Sequence, residues 1–341
     1  MRMGQRPLNI VALVLLLLAT MRLAGAQECP PLNVIVTVLD AHGLAVPNLA
    51  ASNFKASSSG QPLNVLSANF VNAPATRTFV LLDTAASMGG IGAQGIDKWK
   101  IARAAALEFL GAADPKADVS LLAFSATVGK KFSSSDGRQP MLDWLNSPDS
   151  LRPSSLNGKA ALHRTLLETA KAMEPSRLGD AIYVITDGRN DSQYSMAASV
   201  ADELQSSRVR LYSFMLNDTP WTGPYDAGER ERERREFTDL VKDSGGFGYS
   251  LHPMGARVGQ SFGTDSYRFD DRTHQTVRVA AYEIESAITN FYILTVGLPP
   301  HWPSLENWKL EIVDDHGKGR KNLSLGYPSR LARCDGNPSP H

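Results

Sequence analysis

Phe79-Val80-Leu81-Leu82 is an unbroken apolar run that stops at a carboxylate, Asp83, and a loop of small residues through Ser87 follows. A continuous apolar run of that length is a strand buried on both faces, as in a parallel sheet covered by helices. Ile182-Tyr183-Val184-Ile185-Thr186-Asp187-Gly188 repeats the pattern. Ligands of such sheets sit in the crevice beyond the carboxyl ends of the strands. If the two strands are neighbours, Asp83, Ser87 and Asp187 share one rim. Two carboxylates and a hydroxyl there suit a hard divalent cation with oxygen ligands.

The surrounding pattern fits that sheet. Candidate strands at 76–83, 118–125, 181–187, 208–215 and 245–250 alternate with candidate helices at 96–112, 159–173, 194–207 and 229–243, with a short helix at 139–147. Such alternation implies an α/β, Rossmann-like, doubly wound and mostly parallel sheet. In the 96–112 helix, Trp99, Ala102, Leu107 and Leu110 are the expected core contacts. Outside it the grammar changes. Strands at 32–41 and 63–70 precede the α/β unit. A loop at 253–270, a helix at 271–290 and strands at 291–296, 308–313 and 322–325 follow. Each β group is too small to be stable alone, so both chain ends together are expected to build a second, smaller β-sandwich-like region. The chain then divides into 27–75, 76–252, 253–331 and a tail at 332–341.

Asp83 to Ser87 resembles the D-x-S-x-S loop of von Willebrand factor type A (VWA) domains, and Asp187-Gly188 resembles their later aspartate loop. The family's metal site takes two serines from the first loop, a threonine from a middle loop, and both aspartates. This chain keeps Asp83, Ser87 and Asp187. Ala85 stands at the first serine, and Ala160 at the threonine when Gly158-Lys159-Ala160-Ala161-Leu162 is aligned with the family's G-G-T-A-L. The flanks are similar to an exported bacterial VWA-related family: Asn48-Leu49 to Phe54, Gly60-Gln61-Pro62, Asn290 to Leu294, and Leu325-Gly326-Tyr327. The resemblance covers most of residues 32–331. It implies a VWA fold with a degenerate metal-ion-dependent adhesion site that needs no cofactor or holds Mg²⁺ weakly. Three retained ligands leave about half of the six positions of Mg²⁺ to water. On this reading Ala85→Ser with Ala160→Thr creates or strengthens the site. The competing role for the aspartates is to cap the helix N-termini that follow them.

The first 26 residues read as a cleavable leader. Arg2 and Arg6 precede the apolar stretch 10–19, which is too short to span a bilayer, and Ala24-Gly25-Ala26 is a cleavage site. The expected destination is secreted or periplasmic, with no transmembrane segment in the mature chain. The full chain carries 35 basic and 35 acidic residues, and three of the basic ones, Arg2, Arg6 and Arg22, lie in the leader; 32 against 35 leaves a mature charge of −3. That balance has no footprint for nucleic acid. Cys29 and Cys334 are the only cysteines. In an oxidising compartment an even pair favours a disulfide, and both ends of the β region would be tied by it.

Other motifs carry less. Gly90 to Gly95 matches G-x-G-x-x-G but starts seven residues after Asp83, and strand 118–125 ends without an acid for a ribose, so a dinucleotide is not implied. His163, three residues after Ala160, is a candidate ligand or base at the rim. The alternating charges at 228–236 read as a solvated helix face with i,i+4 pairs. Asn190, Asn217 and Asn322 begin N-x-S/T triplets. The favoured function is an exported, non-enzymatic module that binds a protein or cell-surface partner. The alternatives are a Mg²⁺-dependent receptor using Asp83, Ser87 and Asp187, and a hydrolase using Asp83, Asp187 and His163.

Overall fold

The computed structural model describes residues 30–73, 76–89, 93–147, 158–190, 196–216, 224–251, 269–299 and 308–331. The leader, Cys29 and Cys334 lie outside these residues, as do Gly90 to Gly92 of the glycine run and Asn217. Among the described residues no helix is long and apolar enough to cross a membrane.

The strands in chain order are β1 (Leu32–Leu39), β2 (Phe54–Ser58), β3 (Gln61–Asn72), β4 (Arg77–Asp83), β5 (Asp118–Phe124), β6 (Val128–Phe132), β7 (Ala181–Thr186), β8 (Arg210–Leu216), β9 (Gly248–Leu251), β10 (Asn290–Gly297), β11 (Trp308–Ile312) and β12 (Ser324–Gly326). The helices are α1 (Ala93–Ala112), α2 (Gln139–Asn146), α3 (Leu162–Ala172), α4 (Ala197–Ser206), α5 (Pro224–Asp243) and α6 (Asp271–Thr289).

One six-stranded sheet has the order β6-β5-β4-β7-β8-β9. All its pairings are parallel except that of the edge strand β6, which runs antiparallel to β5. Numbered from β4, that order is 3-2-1-4-5-6, the doubly wound order whose direction reverses between the first and fourth strands. The apolar runs explain the double winding. In β4, Val80 and Leu82 enter one core with α1, α2 and α6, while Leu81 enters the other with α3, α4 and α5. In β7, Tyr183 and Ile185 face the first core and Ile182 and Val184 the second. A strand with a helix layer on each face has no solvent side, so alternation disappears from its sequence.

The second sheet is antiparallel, with the order β11-β2-β3-β10-β1-β12. Strands from the two chain ends pair directly: Val36 of β1 stands opposite Tyr292 of β10. The expected sandwich-like region is a single sheet that curls. Inward residues of β1, β2, β3, β10 and β11 share one core. Its edges approach each other, because Trp308 Nε1 of β11 donates to the Pro328 carbonyl just beyond β12 at 2.7 Å. α6 runs straight into β10 but packs its Val277, Ala281, Ile284 and Ile288 against the doubly wound core beside α1. That helix therefore bridges the two sheets.

Candidate functional site

Asp83 ends β4 and Asp187 follows β7, and these are the adjacent strands at the topological switch point. Three loops expected from the sequence meet there. The Ala86 amide of the first loop donates to the Gly158 carbonyl of the middle loop at 3.1 Å. The Thr186 hydroxyl donates to Asp83 Oδ2 at 2.7 Å, joining the first and last loops. Ala85 and Ala160 are both buried, so methyl groups stand at the two positions aligned with oxygen ligands.

Each aspartate also folds its own loop. Asp83 Oδ1 accepts the Ala85 amide at 2.9 Å and Asp187 Oδ1 the Arg189 amide at 3.2 Å, both Asx turns to residue i+2. These are turns within the loops and not the expected helix caps: the α-helices that follow begin only at Ala93 and Ala197, the second with Met196 at its N-cap. Thr186 Oγ1 additionally accepts the Gly188 amide at 3.1 Å. Gly188 has φ +78°, and a Cβ there would lie 3.0 Å from Met215 Sδ and 3.3 Å from Arg234 Cγ. The backbone conformation favours glycine after Asp187, and a Cβ would also crowd these two flexible side chains.

The rim contains a cation of its own. Lys98, on α1, places Nζ 3.0 Å from Asp187 Oδ2 and 3.0 Å from the Ser87 carbonyl oxygen. Its side chain and that of Asp187 are each 1% exposed. Arg189 adds a second, partly exposed charge, with Nε 3.5 Å from the same Asp187 oxygen. Ser87 Oγ is buried and makes no hydrogen bond of good geometry, although it is near enough to favour the charged form of Asp187.

These neighbours drive the two carboxylates apart. Burial, followed by the charge of Asp187, pushes Asp83 up to about 7. Burial also opposes ionisation of Asp187, but Lys98 and Arg189 outweigh it and hold that carboxyl below the ordinary range. A pair whose environments split its protonation in this way carries one firm negative charge, with the second conditional on pH.

His163 is buried at the start of α3 and its contacts are with Asn190, not with either aspartate. Asn190 Nδ2 lies 3.1 Å from His163 Nδ1, and Asn190 Oδ1 accepts the His163 amide at 3.2 Å. Burial lowers its pKa and favours the neutral ring, an effect that the charge of Glu236 opposes. The same contact uses up Asn190, whose side chain is buried inside its N-x-S triplet, whereas Asn322 is exposed. Along α5, the expected i,i+4 pairs are Arg232 with Glu236 at 3.8 Å and Arg235 with Glu231 at 4.0 Å, and shorter i,i+3 pairs join Arg232 to Glu229 at 3.4 Å and Arg234 to Glu231 at 3.2 Å.

The donor set is a poor match for Mg²⁺. Of the three retained ligands, Asp187 already serves an ammonium and Asp83 has a donor on each oxygen, while the Ser87 hydroxyl is without a hydrogen-bond partner and only its backbone carbonyl accepts from Lys98. Among the described residues no three His, Cys, Asp or Glu side chains cluster as a ligand set.

The strand order, with the aspartates at its switch point, is the arrangement that the resemblance of the loop motifs to VWA domains implies. No family model matches the sequence, and no curated protein matches it. Solved structures similar to it include the von Willebrand factor type A protein from Catenulispora acidiphila, at 12% identity and TM-score 0.42 over 90% of this chain and 74% of that one. The SpRpn10 VWA domain is similar at 11% identity and TM-score 0.39, over 53% of this chain and 90% of that one. An aerotolerance-related membrane protein from Bacteroides fragilis is similar at 16% identity and TM-score 0.40, over 61% of this chain and 98% of that one.

Proposed function

We propose that the chain is an exported, non-enzymatic protein-interaction module on a VWA-like scaffold, whose rim functions without a divalent cation. The observation that carries this reading is the burial of both aspartates. Asp83 is 0% and Asp187 3% exposed. A metal-dependent receptor needs an open coordination position that a partner carboxylate completes, and these carboxylates turn inward to their own loops. A hydrolase needs a nucleophile in reach of a base; His163, the base candidate, is engaged by Asn190 and hydrogen-bonds to neither aspartate. Export rests on the leader at 1–26.

The test is capture of partners from the native exported fraction on immobilised mature protein, in Mg²⁺ and in EDTA. The same proteins retained in the same amounts under both conditions is the expected result. Release by EDTA, restored by Mg²⁺, would instead establish the metal-dependent receptor.

A further inference from the structure

We infer that the Lys98 ammonium is the resident cation of this rim, built into the fold in place of a divalent ion. The inference rests on the metal-free reading above and gives its physical cause. Lys98 engages Asp187 through Oδ2 and Ser87 through its carbonyl, two of the three residues that the sequence offered as ligands, each at 3.0 Å. An ammonium presents three donors and one positive charge on a flexible stem, so it suits a site that has lost hydroxyl acceptors. With methyl groups at Ala85 and Ala160, the protein offers Mg²⁺ fewer oxygen ligands and leaves more of its near-octahedral shell to water. A lysine needs no such shell.

Lys98 lies on the buried stripe of α1 with Ile101, Ala102, Ala105 and Phe109, all in the core. A charged side chain on such a stripe is costly unless it is paired, and Asp187 supplies the pair. The expectation that Ala85→Ser and Ala160→Thr suffice to make a Mg²⁺ site is accordingly revised. Restored hydroxyls still face an ammonium, which repels a divalent cation and occupies Asp187.

The experiment compares the wild type, Ala85→Ser/Ala160→Thr, and the triple variant that adds Lys98→Ala, by thermal melting and calorimetric titration with MgCl₂. The first two should show no Mg²⁺-dependent shift. The triple variant should bind the ion, and its melting temperature should rise by about 5 °C in roughly hundredfold excess over Kd. Binding by the hydroxyl pair with Lys98 intact, or no binding by a folded triple variant, overturns the inference. Should the triple variant not fold, Lys98→Met, Asp187→Asn and the two combined decide the matter. Each single change should lower the melting temperature and the combination should recover part of the loss. Additive losses would show that Lys98 does not serve as the counter-cation of Asp187. Partner capture that EDTA abolishes in the wild type would refute the functional reading independently of these variants.

Discussion

Asp83 shows how a single-charge cation differs from a divalent one. Lys98 compensates one carboxylate of a buried pair, and the other is left to take up a proton. Between the ordinary value of 3.8 and about 7, native Asp83 holds a proton that the unfolded chain has released. The resulting stabilisation is fully present below the lower value and is lost as pH rises through the upper one, on the order of a few kcal/mol at most. Asp187 is shifted downward, so its contribution is lost only in more acidic solution and does not compete in this window. Denaturant unfolding from pH 5 to pH 8 should therefore show stability falling with pH, and Asp83→Asn should flatten the slope. An unchanged slope in Asp83→Asn would contradict this assignment. The aspartates and the two alanines were legible from the sequence because loop motifs fix their positions. Lys98 was harder to see, since lysine in a helix reads as surface. The available signal was its phase: positions 98, 101, 102, 105 and 109 lie on one face, and the other four are apolar. Thr186, which joins the loops, was hidden as the last residue of an apolar run.

At the scale of elements, the junction between the sheets turns on Arg210 of β8. It is fully buried. Nη1 donates to Tyr212 Oη at 2.7 Å and to the Ala287 carbonyl at 3.0 Å, while Nη2 donates to the carbonyls of Gly179 at 3.0 Å and Ile288 at 2.8 Å. The guanidinium carbon lies 4.6 Å from the centre of the Phe291 ring. One side chain thus satisfies the last turn of α6, where carbonyls lack helical partners and the dipole favours a cation. Lysine would keep the charge but cannot fork to carbonyls on both sides. Arg210→Lys should cost about 3 kcal/mol or more, since each orphaned buried acceptor costs roughly 1–3 kcal/mol. A melting temperature no lower than that of a control, Arg278→Lys on the exposed face of α6, would contradict this role. The helices and central strands were readable from periodicity and buried runs. β6 and β2 were missed. β6 is a largely exposed edge strand carrying Lys130 and Lys131, a composition that keeps edges from pairing with other chains and that also erases the strand pattern. β2, Phe-Lys-Ala-Ser-Ser, ends in residues typical of turns and is a strand only because β3 and β11 flank it.

For the whole molecule, the two ends of the described chain return to one place. Leu32 and Leu331 line the same cavity between β1, α4 and the segment after β12, and both belong to the core of the curled sheet. Cys29 precedes Leu32 by three residues and Cys334 follows Leu331 by three. A Cys29–Cys334 bridge is expected in exported protein, and it would close a loop of nearly the whole mature chain, with a nominal stabilisation on the order of 5 kcal/mol. Mass spectrometry under non-reducing conditions should show one bridge and no free thiol; two free thiols would refute it. The joining of both ends in one sheet was inferable from strands too few to stand alone, but its curl was not, because contacts such as Trp308 with Pro328 depend on tertiary closure.

The central claim is that this VWA-like rim is complete without a metal ion, and the most demanding test is at pH 8, where Asp83 has lost its proton and the site is most attractive to cations. Thermal unfolding of the wild-type mature protein should give the same melting temperature in excess MgCl₂ and in EDTA at that pH. A Mg²⁺-dependent rise there would contradict the account, because it would require an ion to bind where Lys98 already stands.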